Sequence, residues 1–163
     1  AALVGNDESS ASSIESIRAR ELDQLLGPKF STDHNQPCNP LTDVIIDLHT
    51  TTSNMGASII VAEGDPVMTA AAAYVIQKCA AVNSLTVRCI LHTHPSRESR
   101  PNLSSIARHG FTIEVGPVPQ GVLRHDVVEK TQVVLHAALE YLQRYNSDPK
   151  GLNEELRGWY RKS

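Results

Sequence analysis

The chain has 163 residues, is 40% hydrophobic and 20% charged, and carries 15 basic against 18 acidic residues, for a net charge of −3. That is the size of one domain with a real core. It contains no apolar run long enough to span a bilayer, and its basic residues are scattered among the acidic ones instead of forming the stripe that nucleic-acid binding requires. Cys38, Cys79 and Cys89 are an odd number without CxxC spacing, which argues against a disulfide framework and a cysteine zinc site and fits a reducing, cytoplasmic compartment.

Residues 1–12 are small, polar and acidic, and read as a flexible lead-in without the basic-then-apolar pattern of a signal peptide. Ser12 or Ser13 then caps a helix whose Ile14, Ile17, Leu22, Leu25 and Leu26 recur at helical spacing, and Gly27-Pro28 stops it. Lys29 to Pro40 has turn chemistry throughout and is expected to be a loop. Val44 to Leu48 is β-branched and almost wholly apolar, which predicts a strand buried on both faces, with His49 at its C-terminal end. After the polar turn Thr50 to Gly56, the pattern predicts a strand over Ala57 to Ala62, a helix over Met68 to Val82, and strands over Leu85 to Leu91 and Phe111 to Val115. A long helix follows over Asp126 to Tyr145, with Val127, Val128, Val133, Val134, Leu135, Ala138, Leu139 and Leu142 on or near its buried side. Strands alternating with helices indicate an α/β layered sheet over 13–146. The polar tail 147–163, with Leu152, Leu156 and Trp159 as its apolar points, is expected to be at most a loosely docked helix.

Open α/β sheets bind ligands beyond the carboxyl ends of their strands, so a His and a Glu at such ends carry weight. His49 qualifies, and Asp47 points to the same strand face two residues earlier, where it could orient a metal ligand. Spacing alone leaves open that His49 merely ends a strand. Glu114 sits inside the apolar run Phe111-Thr112-Ile113-Glu114-Val115, where a carboxylate needs a partner, a proton or a cleft. A general acid or base near neutral pH is one use for such a carboxylate; a sheet-edge Glu in water is the alternative. His92 and His94 are spaced to share a strand face, but Pro95 follows at once and no acidic or Cys ligand stands nearby, so a solvated strand end is the simpler reading. His34, His109, His125 and His136 form no spacing motif. There is no G-x-S-x-G around Ser104-Ser105, which opens a helical turn, and no Gly-rich phosphate loop.

Three ordered segments carry a resemblance. Ile46-Asp47-Leu48-His49-Thr50-Thr51-Thr52-Ser53-Asn54-Met55-Gly56 resembles the D-L-H-N-T-T-S-N-M-G stretch of the aspartoacylase and aminoacylase-3 family. Ile113-Glu114-Val115-Gly116-Pro117-Val118-Pro119-Gln120-Gly121-Val122-Leu123-Arg124 is similar to its I-E-V-G-P-Q-P-Q-G-V-L-R. Arg18 to Leu22 with Leu25 to Lys29 is similar to its R-A-x-E-L-N-x-L-x-G-P-K helix. The resemblance implies a zinc-carboxypeptidase-like α/β fold, a mixed central sheet flanked by helices, and zinc-dependent hydrolysis of N-acyl amino acids. It places His49 at a zinc-ligand position and Glu114 at that of the glutamate handling the proton of the zinc-bound water. A homo-oligomer is expected, with no nucleic-acid or membrane partner.

The departures matter equally. The family's H-x-x-E ligand motif, carbonyl-polarising Arg and D-L-N-R motif have no match here, and members continue into a C-terminal β-rich domain. The chain is therefore expected to be a central part of such an enzyme, with an incomplete set of zinc ligands and little turnover by itself. A non-catalytic family member acting as an interaction partner is the alternative, and a separate zinc site of His49, His92 and His94 a weaker one. Pro101 and Ser104 stand near the places of the Tyr and Arg that grip an aspartate-type carboxylate, with Arg97 or Arg100 as possible substitutes. That loss tilts the expected substrate toward the aminoacylase-3 type and away from N-acetylaspartate.

Overall fold

The computed structural model describes residues 13–31, 38, 40–93 and 100–161. The lead-in, His34, His94 and Arg97 lie outside the described residues.

Helix α1 (Ile14–Leu26) starts where the sequence predicts, because the Ser13 hydroxyl accepts from the Ser16 N–H, and it ends at Gly27. Strands β1 (Val44–Thr50) and β2 (Gly56–Ala62) precede helix α2 (Pro66–Asn83). Asp65 caps α2 by accepting from the Met68 N–H, and Pro66 occupies the first turn, where its missing N–H costs nothing. Strand β3 (Val87–His92), a short 3-10 turn (Leu103–Ser105), strand β4 (His109–Gly116) and helices α3 (His125–Ser147) and α4 (Pro149–Tyr160) complete the order.

The sheet is mixed, in the order β1-β4-β2-β3. β1 runs parallel to β4, β2 parallel to β3, and β2 antiparallel to β4. Since side chains alternate along a strand, one face gathers Ala57, Ile59, Val61, Val87, Phe111, Ile113 and Val115. These pack with Met68, Ala71, Val75 and Cys79 of α2, Val127, Val134, Ala138 and Tyr141 of α3, and Leu152 and Leu156 of α4 in one core. Each large apolar side chain fully buried there contributes about 1.5–3 kcal/mol.

Three expectations need correction. β1 is an edge strand with only Ile45 buried, and Leu48 is 47% exposed. Its apolar run looked like a central parallel strand, but nothing described pairs with its outer edge. Helix α1 has no buried residue, so its periodic apolar positions make no core face. In α3, Val128 and Leu139 are exposed although Val127, Val134 and Ala138 are buried.

The polar tail is also more firmly attached than its charge suggests. Helix α4 drives Leu152 and Leu156 into the core, and Trp159 lies 5.7 Å from the Tyr74 ring. Around that contact the Tyr74 hydroxyl donates to Glu140 at 2.7 Å, Lys78 pairs with Glu140 at 2.6 Å, and Arg144 pairs with Glu155. Burial is the main cause that raises the Tyr74 hydroxyl pKa, while the Lys78 hydrogen bond holds the Glu140 carboxyl below its ordinary value.

The other face of the sheet carries Ile45, Asp47 and His49 on β1, Gly110, Thr112 and Glu114 on β4, Ser58 and Ile60 on β2, and Arg88, Ile90 and His92 on β3. The segment around the 3-10 turn crosses part of this face. It can approach because Gly110 has no side chain: a Cβ there would collide with the Ser104 carbonyl oxygen and lie 2.8 Å from that of Ile45.

Candidate active site

His49 and Glu114 are register partners on adjacent parallel strands, so their side chains leave the same sheet face side by side. The pair thus lies near the carboxyl ends of β1 and β4. His49 Nε2 is 2.9 Å from Asp47 Oδ2. A carboxylate can only accept, so this contact selects the form of the ring with a proton on Nε2; in the neutral tautomer of that form Nδ1 is the nitrogen left to accept or ligate. Thr51 and Val118 exchange backbone contacts across the end of β4, Thr51 N donating to Val115 O at 3.1 Å and Val118 N to Thr51 O at 2.9 Å. Those bonds tie the turn after β1 to the turn after Glu114, fixing both strand ends relative to each other.

Glu114 is partly buried, and its Oε2 is enclosed with no hydrogen-bond partner among the described residues. A buried polar atom left unmatched is costly and uncommon, and asks for an explanation. Glu114 faces a cleft of about 560 Å³ lined by Leu22, Asp47, His49, Ile60, His92, Pro101, Asn102, Leu103, Thr112 and Glu114. Its chemical end is the Asp47, His49 and Glu114 cluster, while Leu22, Ile60, Pro101 and Leu103 make the remainder chiefly apolar. The two residues singled out on physical grounds are therefore brought together.

His92 lines the same cleft, which the reading of a solvated strand end did not anticipate. It cannot share a metal with His49: β1 and β3 are the two edges of the sheet, three strand spacings or roughly 14 Å apart. Arg100 does not reach the cleft as a substitute cation. It is buried, donates from Nη2 to the Glu63 carbonyl at 3.0 Å, and has its own carbonyl bound by Lys29.

Sequence reasoning missed Leu22, Ile60, Thr112, Asn102 and Leu103 as lining residues. The available signal was the period-two placement of Ser58, Thr112 and Glu114, polar positions in otherwise apolar strands, which marks a sheet face turned toward something other than a core.

The donor set fits zinc in part. An imidazole with Nδ1 available and Nε2 backed by a carboxylate suits a zinc ligand. Among the described residues, however, no group of three His, Cys, Asp or Glu side chains is placed to hold a metal ion. Further ligands would come from outside them. No described helix is long and apolar enough to cross a membrane.

Residues 4–142 match the family model described as succinylglutamate desuccinylase/aspartoacylase catalytic domain. Aspartoacylase of Danio rerio is 36% identical over 85% of this chain and 42% of its own length. The N-acyl-aromatic-L-amino acid amidohydrolase (carboxylate-forming) of Xenopus laevis is 35% identical over 88% of this chain and 44% of its own. Among solved structures, murine aminoacylase 3 superposes with a TM-score of 0.66 at 27% identity, over 90% of this chain and 43% of that one. The chain spans about two fifths of the length of the curated relatives it matches.

Proposed function

The chain belongs to the succinylglutamate desuccinylase/aspartoacylase catalytic-domain family, and we propose on that premise that it supplies half of a hydrolytic site for N-acyl amino acids, with Glu114 as proton carrier and His49 as one zinc ligand. The observation that carries this reading is the enclosed, partnerless Oε2 of Glu114 beside an imidazole already oriented by Asp47. Asp65 and Asn102 each hold an unmatched oxygen as well, so what singles out Glu114 is the pairing of that free oxygen with its place beside His49 at the strand ends. A proton carrier must face the reacting atoms with acceptor capacity to spare.

When bound, zinc polarises the substrate carbonyl and makes water a competent nucleophile at neutral pH. The chain's own residues do the rest. Asp47 holds the His49 ring by its Nε2 edge, and Nδ1 would be the atom offered to zinc. Glu114 takes a proton from the attacking water and delivers it to the departing amine nitrogen, so the amide C–N bond breaks with the amine leaving neutral. Leu22, Ile60, Pro101 and Leu103 exclude water and receive an apolar substrate side chain. That lining favours an apolar or aromatic N-acyl amino acid over N-acetylaspartate. We place the reaction in the cytoplasm, and the exposed Leu48 and Leu91 on the two edge strands agree with assembly against further chain or a second copy.

The test joins the chain to the N-terminal segment of aminoacylase 3 and measures zinc content and kcat together. His49→Ala should remove zinc. Glu114→Gln should keep zinc and lose about 10²- to 10⁴-fold in kcat. Full zinc without His49, or a kcat for Glu114→Gln within about tenfold of the parent, overturns the assignment.

A further inference from the structure

We infer that Thr112 sets the size of the substrate side chain that the cleft admits. This deepens the reading of the site given above and rests on it. The cleft side of the sheet is a grid, because strands in register bring the side chains of one face into rows. One row holds His49, Glu114 and Ser58, and the next holds Asp47, Thr112 and Ile60. The row after that holds Ile45 and Gly110.

That third row is covered. Gly110 is where the 3-10 segment comes down on the sheet, so closely that a Cβ at this position would collide with the Ser104 carbonyl oxygen. Ser104 is buried there, and Asn102 and Leu103 of the same segment line the cleft and form its end wall. Rows are two residues, roughly 7 Å, apart along a strand, so the wall stands about two rows, roughly 13 Å, from Glu114 at the backbone. On β4 a single side chain, that of Thr112, lies between the proton carrier and the wall.

Thr112 is also held in place. It is only 7% exposed, on an inner strand, with Asp47 and Ile60 as its register partners on either side, and all three line the cleft. A β-branched side chain is stiff at χ1, and close neighbours on both flanks leave it little room to turn aside. It therefore makes a fixed floor. With the substrate amide at the Glu114 row, the substrate side chain extends along β4 over Thr112 toward Leu103 and must clear that floor. A smaller residue at this position deepens the cleft by the atoms removed, whereas a larger one fills the one row of space before the wall. Leu22, Ile60, Pro101 and Leu103 around that space are apolar, so bulk and not the hydroxyl decides the fit.

The experiment measures the ratio of affinities for N-acetyl-L-tryptophan and N-acetyl-L-valine, a wide and a narrow side chain on the same frame. Each is titrated into the 163-residue chain and followed by amide NMR shifts, so no turnover is required. Thr112→Ala should raise the ratio in favour of tryptophan and Thr112→Leu should lower it, each by about tenfold, the scale of a methylene gained or lost in an apolar pocket. Thr112→Val keeps the branched shape without the hydroxyl and should leave the ratio near that of the parent. Thr112→Ala carries the test alone if the bulkier leucine variant does not fold. A ratio that no variant moves, or one that Thr112→Val moves as far as Thr112→Ala, overturns the role of Thr112 and leaves the hydrolytic reading standing. Binding of neither compound near Glu114 and Ile60 overturns both.

Discussion

Replacing Glu114 by methionine should make the chain more stable. Glu114 Oε2 is enclosed and partnerless, so the fold carries the desolvation of that oxygen without a compensating hydrogen bond. Such an atom costs about 1–3 kcal/mol. Methionine has nearly the same length, fills irregular space and has no strong polar atom to satisfy. It removes the cost while keeping a stem of similar size between its register neighbours His49 and Ser58. For a chain of this size each kcal/mol moves the melting temperature by about 2–4 °C, so the expected rise is roughly 2–12 °C. Thermal unfolding followed by circular dichroism at neutral pH reads it directly. Glu114→Gln belongs beside it, because the amide leaves a buried polar group in place and should stabilise less. If Glu114→Met melts below the parent, Oε2 has a donor in solution and Glu114 is a member of a structural network. The argument that an unmatched oxygen marks a working group would then fail.

Other outcomes follow from the same geometry. Asp47→Asn should weaken zinc binding to the completed site by about 10- to 100-fold, the usual cost of losing the group behind a metal-bound His, with the melting temperature little changed; competition with a chelating dye measures it. Gly110→Ala should cost about 1–3 kcal/mol by overpacking, since the added methyl collides with the Ser104 carbonyl; urea unfolding would show a lower midpoint at constant slope. The Glu140 carboxyl is held below its ordinary value first by the Lys78 hydrogen bond and then by Tyr74. Its contribution is therefore present above the unfolded carboxylate value of 4.5 and lost as pH falls through the lower folded one. Glu140→Gln should accordingly lower stability at pH 7 by under about 1 kcal/mol, because the pair is more than a third exposed, and the gap to the parent should close in acid.

Element type and position were legible in the sequence because they follow from short-range rules. Ser13 and Gly27 bound α1, and the apolar runs at β1, β2 and β4 sit where their patterns place them; α2 begins two residues before the expected Met68, at a start marked by Asp65 and Pro66 that the pattern reading passed over. His49 and Glu114 were also legible, since a His at a strand end and a Glu inside an apolar strand are each locally anomalous. What each faces was not. The run of β1 is as apolar as a central strand, yet it is an edge, because pairing depends on which other strands are present and not on the run itself. The periodic leucines of α1 look like a core face, but none is buried, and Leu22 lines the cleft instead of the core. Leu152 and Leu156, in a charged tail, are core because α3 presents a surface for α4 to close. The neighbouring of His49 and Glu114, 65 residues apart in the numbering, exists only once β1 and β4 lie parallel in register. The committed state of Arg100 likewise depends on contacts between distant segments. The sequence by itself determined which residues were chemically out of place; the tertiary structure decided which of them meet, because register and burial are properties of pairs of segments and are written in neither one alone.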